Sequence, residues 1–552
     1  MRRSKMKFVL FLCLALSLVI SACTSGGSGT QPSNNSTTPP SGTGQQSQNP
    51  PASTPDPQSN PNAEHLELNW FISSPPDAIL PEGDTDFIRK AIEEKFNVTL
   101  NIEYIPSGSD FDNRLNLLIA SQDYPDLFIA TGVNSQTYIR DGVVADMDDY
   151  INPQKTPNYF KWVSEVELQR FAVEGVFQRA PVIFPREVYR SYYVRKDWIE
   201  ALNAKDPGLN LKVPTNYDEM LAVMRAFTFN DPDGNGQNDT YGISAAGNGT
   251  SISMDFPDWI ANGLVGSFMI RDNELVDVQS DSAVQHVLQG IKDKMAEGIY
   301  DPDWFLLKGQ EHIDKAVAGK VGIVAAGAKN FAFDSNPASI QNRSKAVNPN
   351  ADWAAFHPFP ENAWTDNLPS TPFMFGKDTE PAKLDRLAQI VDWMSSEEGF
   401  LLINYGIEGK HYSRSGNTIT ITQAHLDAYQ KDVIEQGNFA TIYGFFYSGA
   451  PEHKPLGLEV VDERMSDRDR QIVETILSYK LIPSIGTNVA PPPGFNLADF
   501  RRQMREFQVQ IMFEEPDASN WPKYRERLMN EFGGQAMLDT YTEQIKAAGV
   551  IK

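Results

Sequence analysis

The run LELNWFISS at residues 66–74, followed by DFIRKAIEEKF at 86–96 and VTLNIEYI at 98–105, decides the fold. Leu66, Leu68, Trp70 and Ile72 alternate with more polar neighbours, the two-residue period of a half-buried strand. Phe87, Ile88, Ala91, Ile92 and Phe96 then recur at three and four residues, which makes one face of a helix, and Asp84 and Asp86 stand ready to cap it. Val98, Leu100, Ile102 and Tyr104 return to alternation. A second helical stretch, about Phe111 to Ser121, leads into the apolar run Leu127-Phe128-Ile129-Ala130 and a turn at Thr131-Gly132. Strand and helix in strict alternation predict an α/β sheet, mostly parallel, with any ligand crevice at the carboxyl ends of the strands. Ser73, Ser74, Thr131 and Gly132 occupy such ends.

Upstream of this stretch the texture is different. From Thr24 to Ala63 the chain is almost wholly Ser, Thr, Gly, Pro, Asn and Gln, a composition that cannot bury enough apolar surface to fold. As a coil it would reach on the order of 35 Å, and farther where proline stiffens it, so it reads as a tether. Before it, Arg2, Arg3, Lys5 and Lys7 precede an apolar run from Phe8 to Ile20, the layout of a secretory signal and too short to span a bilayer. The run ends in Ile20-Ser21-Ala22-Cys23, which resembles the bacterial lipobox, in which the cysteine is lipidated and becomes the new N-terminus. Residues 1–22 are therefore expected to be a signal peptide. Residues 23–63 are the lipidated Cys23 and a disordered linker, anchored to the outer face of the cell membrane of a Gram-positive bacterium. The other of the two cysteines, Cys13, lies in the segment that would be removed, so the mature body has no disulfide and no thiolate metal site.

The 552 residues carry 48 Lys and Arg against 72 Asp and Glu, a formal charge of −24. Such a surface excludes nucleic acid as the expected partner, because phosphate binding needs a basic footprint. The length is ample for two lobes.

Downstream, the sharpest chemical signal is Asp231-Pro232-Asp233-Gly234-Asn235-Gly236-Gln237-Asn238-Asp239. Calcium takes six to eight oxygens, and alternate acidic or amide residues in a tightly curled loop can aim them inward. Asp231, Asp233, Asn235 and Asp239 would give side chains, Gln237 its backbone carbonyl, and Gly236 the sharp turn. The twelfth position departs from the EF-hand, since Gly242 stands where a bidentate glutamate would be. Thr240 is a weaker candidate ligand. The pattern Met220, Leu221, Met224 and Phe227 predicts a helix that this loop ends. The alternative is a solvated Asp/Asn/Gly turn. A single loop of this kind reads as a structural Ca2+ clasp.

Around that loop run Val194-Arg195-Lys196-Asp197-Trp198-Ile199, Val213-Pro214-Thr215 and Tyr217-Asp218-Glu219-Met220, and farther on Glu297-Gly298-Ile299-Tyr300-Asp301-Pro302 and Gly319-Lys320-Val321-Gly322-Ile323. Ile390-Val391-Asp392-Trp393, Tyr405-Gly406-Ile407-Glu408-Gly409-Lys410-His411-Tyr412 and Trp521-Pro522-Lys523-Tyr524 follow in order. Together they resemble the extracellular solute-binding proteins (family 1-like) of bacterial ABC importers, most of all an oligosaccharide-binding branch with calcium-containing alginate-oligosaccharide binders. The resemblance implies a two-lobed, periplasmic-binding-protein-like (type II) α/β fold with a hinge and C-terminal helices. It assigns residues 64–190 and 359–409 to the first lobe and residues 191–358 and 410–552 to the second. It also implies an oligosaccharide ligand and ABC transporter permease subunits as partners.

A sugar needs flat apolar faces for its C–H surfaces and polar groups for its hydroxyls. Trp70, Tyr193, Trp259, Trp364 and Tyr405 are the candidate aromatic platforms, Ser73 and Thr131 the candidate hydroxyls, and Arg414 and Glu408 the candidate charged contacts; core packing competes for every one of the rings. Trp198 and Trp393 sit on helical apolar faces and are expected in the core. No His-Glu-x-x-His, Gly-x-Ser-x-Gly or phosphate-cradling glycine loop occurs, and the seven histidines are scattered. The chain is therefore read as a binding protein and not an enzyme, with peptide or another small solute as the alternative cargo. A secreted carbohydrate-active enzyme and a tethered adhesion module are the remaining alternatives.

Overall fold

The computed structural model describes residues 62–551 apart from 75–77, 82–84, 107, 131, 170, 174–175, 177, 184–186, 367–371, 438–442, 444–452, 484, 486–488, 548 and 550. The signal segment, Cys23, most of the linker and Thr131 lie outside the described residues. Among the described residues no helix is long and apolar enough to cross a membrane.

The opening stretch folds as its periods demand. β1 (Leu66–Ser74) pairs in parallel with β2 (Val98–Pro106) from Leu66 opposite Val98 to Ser74 opposite Pro106. On its other side it pairs with β3 (Leu127–Ile129), Trp70 facing Leu127. Flanked on both sides, β1 alternates buried and exposed residues only as far as Trp70; Phe71 and Ile72 are then buried on both faces. The intervening helix Phe87–Phe96 buries Ile88, Ile92 and Phe96. Asp86 caps it by accepting the Arg89 backbone N–H at 2.9 Å, and Asn97 ends it in the left-handed region at φ 51°.

The first sheet is completed from far away. β12 (Pro372–Phe375) runs antiparallel to β3 and to β4 (Ala180–Pro181), giving the order β2-β1-β3-β12-β4. The second sheet, β10-β5-β9-β6, combines β5 (Ser191–Arg195), β6 (Tyr241–Ile243), β9 (Val321–Ala326) and β10 (Trp353–Phe356). Only β6 and β9 pair in parallel there. The sheets are thus mixed, where strand-helix alternation alone predicts mostly parallel ones; the strands that return after long excursions enter in the opposite sense.

Each sheet has its own core. Around the first pack Leu68, Ile88, Leu100, Met147, Met374 and Trp393. This core also takes Tyr412, Ile419, Val433 and Leu458, from a segment that the resemblance gives to the second lobe. Around the second pack Val194, Trp198, Phe227, Trp259, Leu288 and Trp304, closed from outside by Met504, Ile511, Trp521 and Met537 of the terminal helices Leu497–Phe513, Trp521–Asn530 and Gly534–Ala547. A smaller cluster holds the opposite face of the second sheet: Tyr192 and Val194 face one core, while Tyr193 between them faces Phe333, Trp353 and Ile472. β9 passes so close to the helix Tyr217–Phe229 that a Cβ on Gly322 would fall 2.0 Å from the Phe227 ring.

Among the described residues three small sheets finish the fold. β7 (Phe268–Arg271) and β8 (Glu274–Asp277) form a hairpin, and β11 (Trp364–Thr365) pairs with β16 (Leu481–Ile482). β13 (Ser413–Ser415), β14 (Thr418–Ile421) and β15 (Glu459–Asp462) form the third.

Candidate binding cleft and acidic loop

A cavity of about 1040 Å³ opens where the cores meet. Tyr405, which ends the helix Glu397–Tyr405, and Val460 on β15 bring the first core to its wall; Trp259 and Leu264 bring the second, and Phe333 the third. The second sheet supplies residues at its strand ends: Glu187 to Arg190 immediately precede β5, and Gly327, Lys329 and Asn330 follow β9.

The aromatic wall has a defined geometry. The Trp364 indole N–H donates to the Arg190 carbonyl at 2.8 Å, and the Arg190 guanidinium carbon lies 4.7 Å from the ring centroid. Tyr192 stacks near the same indole at 6.0 Å and His357 meets it edge-on at 4.8 Å. Trp364 therefore braces Arg190 in the wall. Trp259 is only 1% exposed, with its N–H donated to the Ser253 carbonyl at 2.9 Å. Tyr405 is half-buried beside Phe400 and Tyr412, and burial pushes its phenol up to about 12, which keeps it a neutral hydroxyl. His357 is buried, its Nδ1 accepts the Phe359 backbone N–H at 3.0 Å, and burial holds its imidazole down to about 3.

Of the candidates read from sequence, Trp259, Trp364 and Tyr405 line this cavity. Trp70 lies in the first core, and Ser73 sits half-buried on β1 opposite Ile105, away from the cavity wall. Tyr193 is fully buried in the smaller cluster. Arg414 is ion-paired to Glu397 at 2.6 Å and donates its Nε–H to the Gly416 carbonyl, while Glu408 is exposed; neither lines the cavity. Sequence reasoning did not single out Tyr189, Arg190, Lys329, Arg464 or Lys454. The strand-end rule would have found the first three, because they flank β5 and β9.

The acidic loop follows the helix Tyr217–Phe229, as the apolar pattern predicts. Asp231 enters it in the left-handed region at φ 50° and its Oδ2 accepts the Gly236 N–H at 3.2 Å. The Asn235 amide nitrogen donates to Asp233 Oδ2 at 3.0 Å and to Asp239 Oδ1 at 3.1 Å, and Asn235 Oδ1 accepts the Gln237 N–H at 2.7 Å. Asp231 Oδ1 is buried and has no hydrogen-bond partner among the described residues. Partial burial and the adjacent Asp231 and Asp239 carboxylates push the Asp233 carboxyl up, whereas Lys320 at 2.5 Å and the Asn235 amide hold Asp239 down. The Thr240 hydroxyl donates to the Phe227 carbonyl at 2.6 Å and ties the loop's two ends together. Among the described residues no three acidic, histidine or cysteine groups form a ready-made metal cluster. The donor chemistry nonetheless suits a hard cation: three carboxylates and an amide oxygen lie within nine residues, one carboxylate oxygen is buried without a partner among the described residues, and another carboxyl is pushed up by partial burial and by like charge.

Comparison with known proteins gives this architecture relatives. The chain is 24% identical over 393 residues to the polygalacturonan/rhamnogalacturonan-binding protein YtcQ of Bacillus subtilis, a match covering 67% of this chain and 71% of that protein. Among solved structures, a solute-binding protein described as HMO-binding and ABC-transporter-associated, from Bifidobacterium longum infantis, superposes with a TM-score of 0.66 at 16% identity, over 88% of this chain and 100% of that one. The alginate-binding protein AlgQ2, solved without calcium ion, superposes with a TM-score of 0.58 at 17% identity, over 87% and 98% of the two chains. These likenesses establish the two-lobed α/β binding-protein fold. The profile of the bacterial extracellular solute-binding proteins matches residues 80–399, and the chain belongs to that family.

Proposed function

We propose that this protein is an extracytoplasmic lipoprotein that captures an oligosaccharide between its two lobes and presents it to the permease of an ABC transporter. The observation that carries the reading is the 1040 Å³ cavity, whose wall draws rings and polar side chains from all three cores. Its size lies at the upper end of the roughly 300–1,000 Å³ typical of small-ligand pockets. Tyr405, Trp364 and Tyr189 supply apolar faces, and Arg190, Asn330 and Asn336 supply donors for sugar oxygens. The relatives' ligands support the same class.

Capture proceeds by hinge closure, one of the known modes of such proteins. A ligand that touches both walls favours the closed form by its differential affinity, and in no other way. The lobes of this reading are residues 64–190 with 359–409 and residues 191–358 with 410–552, although Tyr412, Ile419, Val433 and Leu458 pack in the core around the first sheet. Lipid on Cys23 and the tether of residues 24–63 hold the body at the membrane, consistent with the signal-like N-terminus. Calcium is bound by Asp231, Asp233, Asn235 and Asp239 with the Gln237 carbonyl, as a clasp on the second lobe that does not touch the sugar. The protein does no chemistry on its ligand.

Isothermal titration of the body from residue 64 onward, with calcium present, against neutral and acidic oligosaccharides and peptides tests the reading. Selective binding of a saccharide recovered intact is expected. Cleavage of the saccharide, or binding confined to peptides, would overturn it.

A further inference from the structure

We infer that a second cavity, on the free edge of the second sheet and apart from the saccharide cleft, takes an extended, uncharged segment from within another polypeptide, added as a strand beside β10. This cavity has a volume of about 440 Å³, and among the described residues it shares no lining residue with the larger one. Its size falls within the roughly 300–1,000 Å³ usual for a ligand site. Trp353 to Phe356 of β10 run along its floor, Val213 and Pro214 form one flank, and Ile472 and Thr475 of the helix Asp467–Leu477 form the other. In the order β10-β5-β9-β6 the floor strand has a neighbour on one side only.

That edge is finished at one position and open at the next. The Asp352 carbonyl accepts the Lys196 N–H at 2.7 Å, so in this antiparallel pair Asp352, Ala354 and Phe356 turn their backbone groups to β5, while Trp353 and Ala355 turn theirs outward. Side chains meet Trp353: its N–H donates to the Gln341 amide oxygen at 2.9 Å, and its carbonyl accepts from the Arg468 guanidinium. Ala355 is buried, and its outward N–H and carbonyl have no hydrogen-bond partner among the described residues. Two residues on, His357 also lines the cavity and is only 3% exposed. Its Nδ1 accepts the Phe359 N–H, which leaves the proton of the neutral ring on Nε2, and Nε2 has no partner among the described residues. Buried donors and acceptors left unmet cost stability until a partner arrives.

A polypeptide backbone meets this set. One residue of an added strand gives its carbonyl to the Ala355 N–H and its N–H to the Ala355 carbonyl, the mode of peptide recognition by strand addition. The His357 N–H is left for a further carbonyl of the same segment. The charges in the wall are engaged with one another, because Asp352 is ion-paired to Lys196 at 3.5 Å and to Arg468 at 3.1 Å, and no other Asp, Glu, Lys or Arg lines the cavity among the described residues. The charged ends of a free peptide would therefore lack a counter-charge, which selects an internal stretch of a longer chain. Val213, Pro214 and Ile472 on the flanks suit small aliphatic side chains beside that backbone.

The test uses the full chain and tetrapeptides of Ala, Val, Thr and Leu, acetylated at one end and amidated at the other, with hydrogen exchange read by mass spectrometry and affinity by titration calorimetry. At least one capped peptide is expected to bind and to slow exchange over residues 352–357, and the same peptide with free ends to bind roughly tenfold more weakly. Ala355→Pro removes the outward N–H and none of the bonds to β5, a change that an edge strand tolerates. It is expected to weaken the capped peptide about fivefold to tenfold, the scale of one lost neutral hydrogen bond. His357→Phe keeps a ring among Tyr192, Trp364 and Tyr479, removes the donor, and is expected to act similarly. Asn330→Ala, in the larger cleft, should leave the peptide affinity unchanged. Should Ala355→Pro melt early, the peptide methylated on every backbone nitrogen carries the test and is expected not to bind. Failure of every capped peptide, binding indifferent to Ala355→Pro and to methylation, or equal binding of the free-ended peptide would overturn the inference. So would protection of residues 352–357 by a saccharide, or by a second copy as the chain is concentrated. Failure to bind any saccharide in the larger cleft would leave it standing.

Discussion

In the loop at 231–239, two of three carboxylates accept from one asparagine amide and the third accepts a backbone N–H; in the cleft, four cations arrive from segments as far apart as Arg190 and Arg464. The first concentration of charge is made by the local backbone, through left-handed Asp231 and the glycines at 234 and 236. The second exists only once those distant segments have folded together. The difference separates what each can do: a locally built site can hold one part of the chain rigid, while a site assembled from distant segments can report whether those segments have come together.

Calcium removal is the largest test of this contrast. Calcium at one hundred times its Kd contributes about 2.7 kcal/mol of stability, so chelation is expected to lower the calorimetric Tm by several degrees while saccharide affinity persists. Loss of binding at unchanged Tm would break the separation. The converse variant is Trp364→Ala, which removes the brace of Arg190; it is expected to cost about 2 kcal/mol of binding, roughly thirtyfold in Kd by titration, with the calcium-dependent shift in Tm intact.

Acid sharpens the comparison next. The buried His357 titrates near 3, against about 6.5 in an unfolded chain, so between those values the unfolded state takes up a proton that the folded state refuses. Its contribution is fully present above pH 6.5 and falls as pH drops, by up to about 1.4 kcal/mol per pH unit. His357→Asn, whose amide oxygen can still accept from Phe359, is expected to flatten the acid limb of a Tm-against-pH curve. The smallest effect is expected at Tyr193, whose buried hydroxyl has no hydrogen-bond partner among the described residues. Tyr193→Phe should raise stability by about 1 kcal/mol in a urea melt and leave saccharide binding untouched, which would fix the boundary of the cleft.

The same contrast explains how far the sequence could be read. The strand at 66–74, the helix at 87–96 and the strand at 98–106 stand in the structure within a residue or so of their periodic patterns, because each is decided by neighbours a few positions away. That the loop at 231–239 ends the helix Tyr217–Phe229 was legible for the same reason. β12 was not: Pro372–Phe375 is a short run buried on every side, and such a run has no period that distinguishes strand from helix or names its partner. The cleft was half legible. Tyr193 and Tyr189 are four residues apart and chemically alike, yet the first points into the smaller cluster from mid-strand and the second lies in the cavity wall just before the strand begins. Only the strand's end, and which side faces the other lobe, separates them. Arg464 and Lys454 had no local signal at all, since their place depends on β15 reaching the cleft beside β14.

The pairing of β3 with β12 also sets a timetable. A chain exported from its N-terminus delivers residues 127–129 some 240 residues before residues 372–375, so through most of its passage β3 presents a bare edge with nothing to complete it. The second core waits longer still, for the terminal helices that hold Met504, Trp521 and Met537. Contacts this distant in sequence make folding slow, and slow folding with open strand edges favours aggregation. This protein is therefore one whose yield outside the cell should respond more to folding assistance at the membrane than to the rate at which its message is translated.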